Sequence, residues 1–132
     1  MSARATVERV PLRADPRGLV LEPLGPSELP AQRNAHLVLT APGGIRGNHR
    51  HERGTEVALV LGPALVRLRE GDATRDVTVP AGAAYRFVLP PGVAHAFQAT
   101  GDAPMVLIAF NTEPHDPASP DVVREILIPT GG

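Results

Sequence analysis

The chain has 132 residues, 42% of them hydrophobic, which is enough to enclose one core and too few for two independent domains. Its 13 basic residues, all arginine, face 14 acidic ones, and the resulting formal charge of -1 gives no field for gripping a polyanion, so neither nucleic acid nor an acidic membrane surface is an expected partner. Lys and Cys are absent, which excludes Schiff-base chemistry, a P-loop lysine, disulfides, thiolate ligands and a cysteine nucleophile.

The opening stretch MSARATVERVPLRADPRG is charged throughout and lacks an apolar signal core, and no segment approaches the ~20 apolar residues of a membrane span. A cytoplasmic protein is expected. Beyond it, 13 Gly and 15 Pro punctuate short apolar runs, which predicts many short strands rather than helices. In chain order the predicted strands are Leu19 to Pro23, His36 to Thr40, Val57 to Leu61, Ala64 to Arg69, Asp76 to Val79, Tyr85 to Leu89, Ala94 to Ala99, Met105 to Asn111 and Val122 to Leu127. Only Ser27 to Leu29 suggests a helical turn. ALVRLRE and RDVTVP alternate apolar and polar residues, as strands with one wet face do, whereas VALVL and MVLIAF are continuously apolar and should lie deeper. Glu70-Gly71-Asp72 and Pro90-Pro91-Gly92 carry turn chemistry between strands. The set is all-β, a single domain over residues 1–132.

The stretch GNHRHERGTE, Gly47 to Glu56, carries the chemistry. Residues two apart on an extended chain face the same way, so His49 and His51 present two imidazoles to one side. Gly54 licenses a bend, after which Glu56 opens an apolar strand and can return its carboxylate to the same space. His95, in PPGVAHAFQ, supplies a third imidazole at the start of another strand. A lone H-x-H is usually a solvated loop, and Glu56 could then pair with Arg46, Arg50 or Arg53. The joint spacing favours a metal site instead: three imidazoles and one carboxylate suit Zn, Fe(II), Mn, Co or Ni and leave positions open for water or substrate.

These two motifs resemble the signatures of the cupin superfamily, G-x5-H-x-H-x3,4-E-x6-G and G-x5-P-x-G-x2-H-x3-N. Gly43, His49, His51 and Glu56 match the first; Pro90, Gly92 and His95 match the second. Gly62 comes one residue early, Gly82 stands two residues further from Pro90, and Ala99 replaces the final Asn, but the ligands are intact. The resemblance implies a double-stranded β-helix, or jelly roll, with a cavity in its mouth and a homodimeric assembly. More narrowly, ADPRGLVLEPL, Pro42 to Arg69, Val88 to Val106 and FNTEPHDPASPD are similar to the C-terminal cupin domain of capsular-polysaccharide epimerase/reductases acting on UDP-2-acetamido-2,6-dideoxy-hexos-4-uloses. The tail carries that branch's E-x-x-D-P-x-x-P-D pattern at Glu113, Asp116, Pro117, Pro120 and Asp121. Asp15, Arg17 and Gly18 also resemble nucleotide-sugar 3,5-epimerases and 3,4-ketoisomerases.

The resemblance implies a zinc-type isomerase that removes a proton beside a C4 ketone and returns it, using a sugar or nucleotide-sugar substrate. With all three histidines as ligands, the base is Tyr85, Glu113 or a metal-bound hydroxide. Arg46 flanks the site as a candidate clamp for a diphosphate. His36 reads as structural, His115 as exposed, and Asn48 as a surface cap. No G-x-G-x-x-G occurs, so the reduction is not expected of this chain, and Phe110 and Thr112 stand where the branch tends to have Trp and Asn. Two other readings use the same ligands or the same pocket: an Fe(II) or Ni(II) oxygenase or lyase, and a non-catalytic sugar-binding cupin.

Overall fold

A computed structural model describes residues 3–130. Twelve strands form in chain order: β1 (Thr6–Arg9), β2 (Arg13–Asp15), β3 (Gly18–Val20), β4 (Asn34–Thr40), β5 (Ile45–His51), β6 (Glu56–Leu61), β7 (Ala64–Glu70), β8 (Ala73–Val79), β9 (Ala84–Leu89), β10 (Ala94–Ala99), β11 (Met105–Asn111) and β12 (Val122–Arg124). They build two five-stranded antiparallel sheets, ordered β1-β9-β6-β11-β4 and β12-β5-β10-β7-β8, packed face to face. A separate hairpin, β2 with β3, stands beside them. This is the all-β, cupin-like sandwich the motifs imply.

The core lies between the sheets where inward residues alternate along each strand: Ala58 and Val60, Val66 and Leu68, Phe87 and Leu89, Phe97, Met105 and Leu107. Strand β6 is buried on both faces, as its unbroken apolar run predicts, because the segment carrying Val10 and Leu12 covers its outer side. Strand β11 departs from that expectation. Its outward Val106 and Ile108 are only half buried, with Ile108 at the margin of the cluster that Val10, Leu59 and Ala84 form on that face.

Strands β1, β2 and β5 carry no predicted apolar run. In IRGNHRH only Ile45 is apolar, since this strand faces the site rather than the core. Other edges moved as well. The predicted Leu19 to Pro23 shortens to Gly18–Val20, and the carbonyls of Glu22 and Pro23 accept hydrogen bonds from Arg86 instead. The strand at Val122 ends at Arg124, because the next turn of chain hands its backbone to Asn48: Oδ1 accepts from the N–H groups of Leu127 (2.9 Å) and Ile128 (3.0 Å), and Nδ2 donates to the Ile128 carbonyl (2.9 Å). Asn48 is thus a buried clasp rather than a surface cap, held at φ 58°. The helical turn is a 3-10 turn at Leu29–Ala31.

Candidate metal centre

Three adjacent features of the β5, β6 and β10 backbones bring the four sequence-predicted ligands together. Strands β5 and β10 pair with His49 opposite His95, and the register slips by one residue immediately after, at Gly47. That bulge is built from two positive-φ residues, Gly47 at 83° and Asn48 at 58°. A Cβ at Gly47 would lie 2.7 Å from the His95 carbonyl oxygen, so only glycine lets the two histidine-bearing strands approach this closely. From the facing sheet, Glu56 begins β6 and points inward. Ligand-capable atoms of His49, His51, Glu56 and His95 all lie within 4.8 Å of one another.

Hydrogen bonds fix how these rings are held. The His51 Nε2 is 2.9 Å from Glu56 Oε1, and the His95 Nε2 is 3.6 Å from Glu56 Oε2. On its far side His95 Nδ1 lies 3.1 Å from the Val93 carbonyl. A carbonyl can only accept, so Nδ1 carries a proton and Nε2 turns toward the cluster. That Nε2 is fully buried and has no hydrogen-bond partner among the described residues. An orphaned ring nitrogen facing two imidazoles and a carboxylate fits a divalent cation, which would complete it.

The charge states follow from the same packing. Burial and the neighbouring His95 push His49 down to about 4, against the pull of Glu56, so its ring is neutral. Burial also opposes charge on His51, but the hydrogen bond and charge of Glu56, joined by Asp121, outweigh it and raise this ring above the ordinary imidazole value. Glu56 is the reverse case. Burial favours its protonated form, yet His95 and His51 hold the carboxyl far below the usual range, so it is an anion.

Behind His51 sits a group that the sequence flagged only as part of a tail pattern. Asp121 Oδ2 is 3.5 Å from His51 Nδ1, while its carboxylate accepts from the backbone N–H groups of Arg53 (2.7 Å) and Gly54 (2.9 Å). Asn111 Nδ2 lies 3.4 Å from the same ring nitrogen. The tail therefore closes over the loop that joins the two ligand-bearing strands. The acid-tolerant anion this requires is present: burial raises the Asp121 carboxyl, but the two N–H donors pull it below its ordinary value.

The cluster lies at one end of a cavity of about 280 Å³, walled by His36, Val38, Arg46, Phe97, Leu107, Ala109, Phe110, Asn111 and Val122. Arg46 reaches this wall as expected, its Nε donating to the buried Thr40 hydroxyl at 3.1 Å. His36, read from sequence as structural, also faces the cavity, because inward and outward positions alternate along β4 with Val38 and Thr40 inward. Tyr85 and Glu113, the two side chains expected to act as bases, are not brought to this wall. Tyr85 lies four positions along β9 from Leu89, the partner of Glu56, roughly 13 Å at strand rise, and its ring packs near Phe87. Glu113 lies over Gly54, with its N–H bound to Asn111 Oδ1 at 2.8 Å. His115 is exposed.

The profile of the polysaccharide biosynthesis C-terminal domain matches residues 13–123. The chain belongs to that family. Within this polysaccharide biosynthesis domain, the matched span takes in every residue of the cluster, the cavity wall and Asp121. Among solved structures it is similar to the capsular polysaccharide assembling protein CapF from Staphylococcus aureus, with 27% identity over 73% of this chain and a TM-score of 0.67. The likeness covers 27% of the CapF chain, so this domain spans about a quarter of that relative. The 3,4-ketoisomerase QdtA from Thermoanaerobacterium thermosaccharolyticum, in complex with TDP, shares the fold at 18% identity over 92% of this chain and 88% of its own, with a TM-score of 0.71. NovW, a 4-keto-6-deoxy sugar epimerase of the novobiocin gene cluster of Streptomyces spheroides, shares it at 18% identity over 86% of this chain and 66% of its own, with a TM-score of 0.67. No curated protein matches the sequence.

Proposed function

We propose that this domain is a metal-dependent sugar isomerase that moves a proton on the carbon beside the ketone of a 4-keto nucleotide sugar. The observation that carries the reading is the convergence of His49, His51, Glu56 and His95, with an orphaned His95 Nε2, at the end of a cavity in a polysaccharide-biosynthesis domain. Bound there, zinc or another of the divalent metals Fe, Ni, Mn or Co would act as a Lewis acid, favouring charge that develops on a ketone oxygen. The four side chains hold it, and Asp121 and the Val93 carbonyl set the ring orientations.

The cavity supports the substrate class by its size and lining. At about 280 Å³ it sits just under the range usual for whole small-molecule sites, so it takes a sugar ring and leaves a nucleotide outside. Phe97, Phe110, Val38 and Leu107 offer the apolar faces a deoxy sugar needs, and Arg46, tethered at Nε, keeps its other guanidinium nitrogens free of that tether for the diphosphate at the mouth. The neighbour QdtA is known with TDP-4-keto-6-deoxyglucose, a compound of this class.

The reading includes a homodimer. The hairpin β2–β3 joins neither main sheet and exposes Leu19 and Val20, and a two-stranded hairpin is marginal alone in water. Strand β4 is a sheet edge whose outward Leu37 and Leu39 are 68% and 60% exposed. A second copy would cover both. Sedimentation should give a dimer that the double change Leu37→Glu with Leu39→Glu converts to monomer.

The direct test is elemental analysis of protein purified without chelator, beside His49→Ala and His95→Ala, followed by deuterium uptake next to the ketone of TDP-4-keto-6-deoxyglucose in D2O. Near-stoichiometric zinc, lost in both variants, with exchange in the parent protein, supports the isomerase. Iron with oxygen uptake would move the assignment to an oxygenase, and metal-free protein in every preparation would sink the metal centre.

A further inference from the structure

The inward face of the β6-β11-β4 sheet is laid out in rows. One row is Glu56, Asn111 and Asn34; the next is Ala58, Ala109 and His36; the third is Val60, Leu107 and Val38. The middle row matters because two of its three members are alanine. Ala58 is packed in the core, and Ala109 lines the cavity as the floor of a shallow trough between the His36 side and the Glu56 end of the cluster. Adjacent strands are about 4.8 Å apart and successive inward residues about 6.7 Å, so His36 and Glu56 stand roughly 12 Å apart at their backbones. Both side chains stand off the same sheet face, and that span leaves room for one sugar ring between them.

The charge-bearing side chains that line the cavity are His36, Arg46, His49, His51 and Glu56. His49, His51 and Glu56 belong to the cluster with His95, and the Arg46 guanidinium carries donors only and no acceptor. Tyr85 and Glu113 do not reach the wall. One side chain remains that can take up and release a proton from a ring in the trough.

Resting on the isomerase reading, the geometry points to His36 as the catalytic proton-transfer residue of this site. Its imidazole nitrogen accepts the proton of the carbon beside the ketone. The C–H electron pair becomes the carbon–carbon double bond of the enolate as the carbonyl electrons move to oxygen. The imidazolium, which lines the open cavity, exchanges its proton with water there and returns one to carbon, restoring the ketone and neutral His36. No oxidant or reductant is consumed. Histidine is the commonest side chain for this work, and its exposed position at the mouth gives the solvent route that exchange requires.

The test uses the full chain loaded with zinc, and compares wild type with His36→Ala and His36→Gln in D2O. The probes are TDP-4-keto-6-deoxyglucose and UDP-2-acetamido-2,6-dideoxy-hexos-4-ulose, with deuterium at carbon read by NMR. General base removal costs about 10²–10⁴-fold, so both variants should lose at least about 100-fold in exchange rate. Zinc content and thermal midpoint should not change, and added imidazole should restore part of the rate in His36→Ala alone. Exchange within about threefold of wild type in the variants overturns the role of His36 and leaves the isomerase standing. Loss of zinc together with exchange would make His36 a structural residue and overturn the role equally. A wild-type protein that exchanges neither probe overturns both readings.

Discussion

Replacing Asp121 tests whether the C-terminal tail is part of the metal centre or merely covers it. The carboxylate accepts two backbone hydrogen bonds, from Arg53 and Gly54, in the loop between the strands that carry His51 and Glu56. Hydrogen bonds to a charged group are worth about 1.5–3 kcal/mol each. The Arg53 guanidinium adds little, because its 3.6 Å contact is half exposed. Taking the low end for a site near the rim, Asp121→Ala should cost the chelated protein about 3 kcal/mol, a large share of an ordinary domain's stability. In urea, with a slope near 1.5 kcal/mol per M, the midpoint should fall by about 2 M. Asp121→Asn keeps one acceptor oxygen and should fall between. The same variants lose the oxygen 3.5 Å from His51 Nδ1, and such outer partners are worth about 10–100-fold in metal affinity. Zinc titration against a competing chelator reads that loss. Asp116→Ala is the control: Asp116 accepts from Ala118 within an exposed stretch of the same tail and should change stability by less than about 0.5 kcal/mol. An Asp121→Ala protein within 0.5 kcal/mol of wild type, with zinc affinity unchanged, would refute the idea that the tail closes the site.

Gly47→Ala should be more damaging than its size suggests, since an αL conformation costs about 1–2 kcal/mol and the new Cβ would meet the His95 carbonyl at 2.7 Å. The measurement is zinc content after purification, which should fall with little change in the far-ultraviolet spectrum. Asn48→Ala removes three hydrogen bonds and leaves alanine at φ 58°, whereas Asn48→Gly removes only the bonds. Denaturation should place the alanine variant about 1 kcal/mol below the glycine one. Acid should weaken the metal-free protein in a defined window. His49 is held at about 4 against 6.5, so the fold favours its neutral form; that contribution is complete above pH 6.5 and disappears as pH falls toward 4. His51 acts oppositely: its raised value adds stability below the ordinary imidazole range, and this is lost as pH rises through the raised one. His49→Ala should flatten the loss between pH 6.5 and 4 in denaturation midpoints, and an unchanged slope would refute the assignment.

The four cluster residues were legible in the sequence because each is tied to a local rule. H-x-H needs only strand periodicity, Glu56 follows a glycine bend, and His95 follows a turn in which Gly92 takes φ 89°. The strand that presents the first pair was not legible, because IRGNHRH spends its positions on the site and carries no apolar alternation. That His36 faces the cavity was not legible for a related reason. Its neighbours Leu37 and Leu39 suggest an apolar strand burying its leucines, yet both leucines point outward on an edge strand and the histidine points in. Sequence alternation reports that a strand has two faces; which face meets the cavity depends on the partner sheet. Asp121 could be flagged only through its tail pattern, since 65 residues separate it from Glu56 and no local rule brings them together.

The placement of the cluster would tie any metal binding to folding. His49, His51 and His95 come from one sheet, and Glu56 from the other. An ion held by all four would bridge the sandwich at its open end, where the core gives way to the cavity. Such a site forms only when the two sheets are packed in register, so any affinity it has for a metal adds to stability, about 2.7 kcal/mol at a hundredfold excess over the dissociation constant. The dependence runs the other way as well. Loosening the core beneath, for example by Leu107→Ala, should separate Glu56 from the three histidines without touching a cluster residue. Any metal affinity of the site would therefore depend on sheet packing as much as on its four side chains.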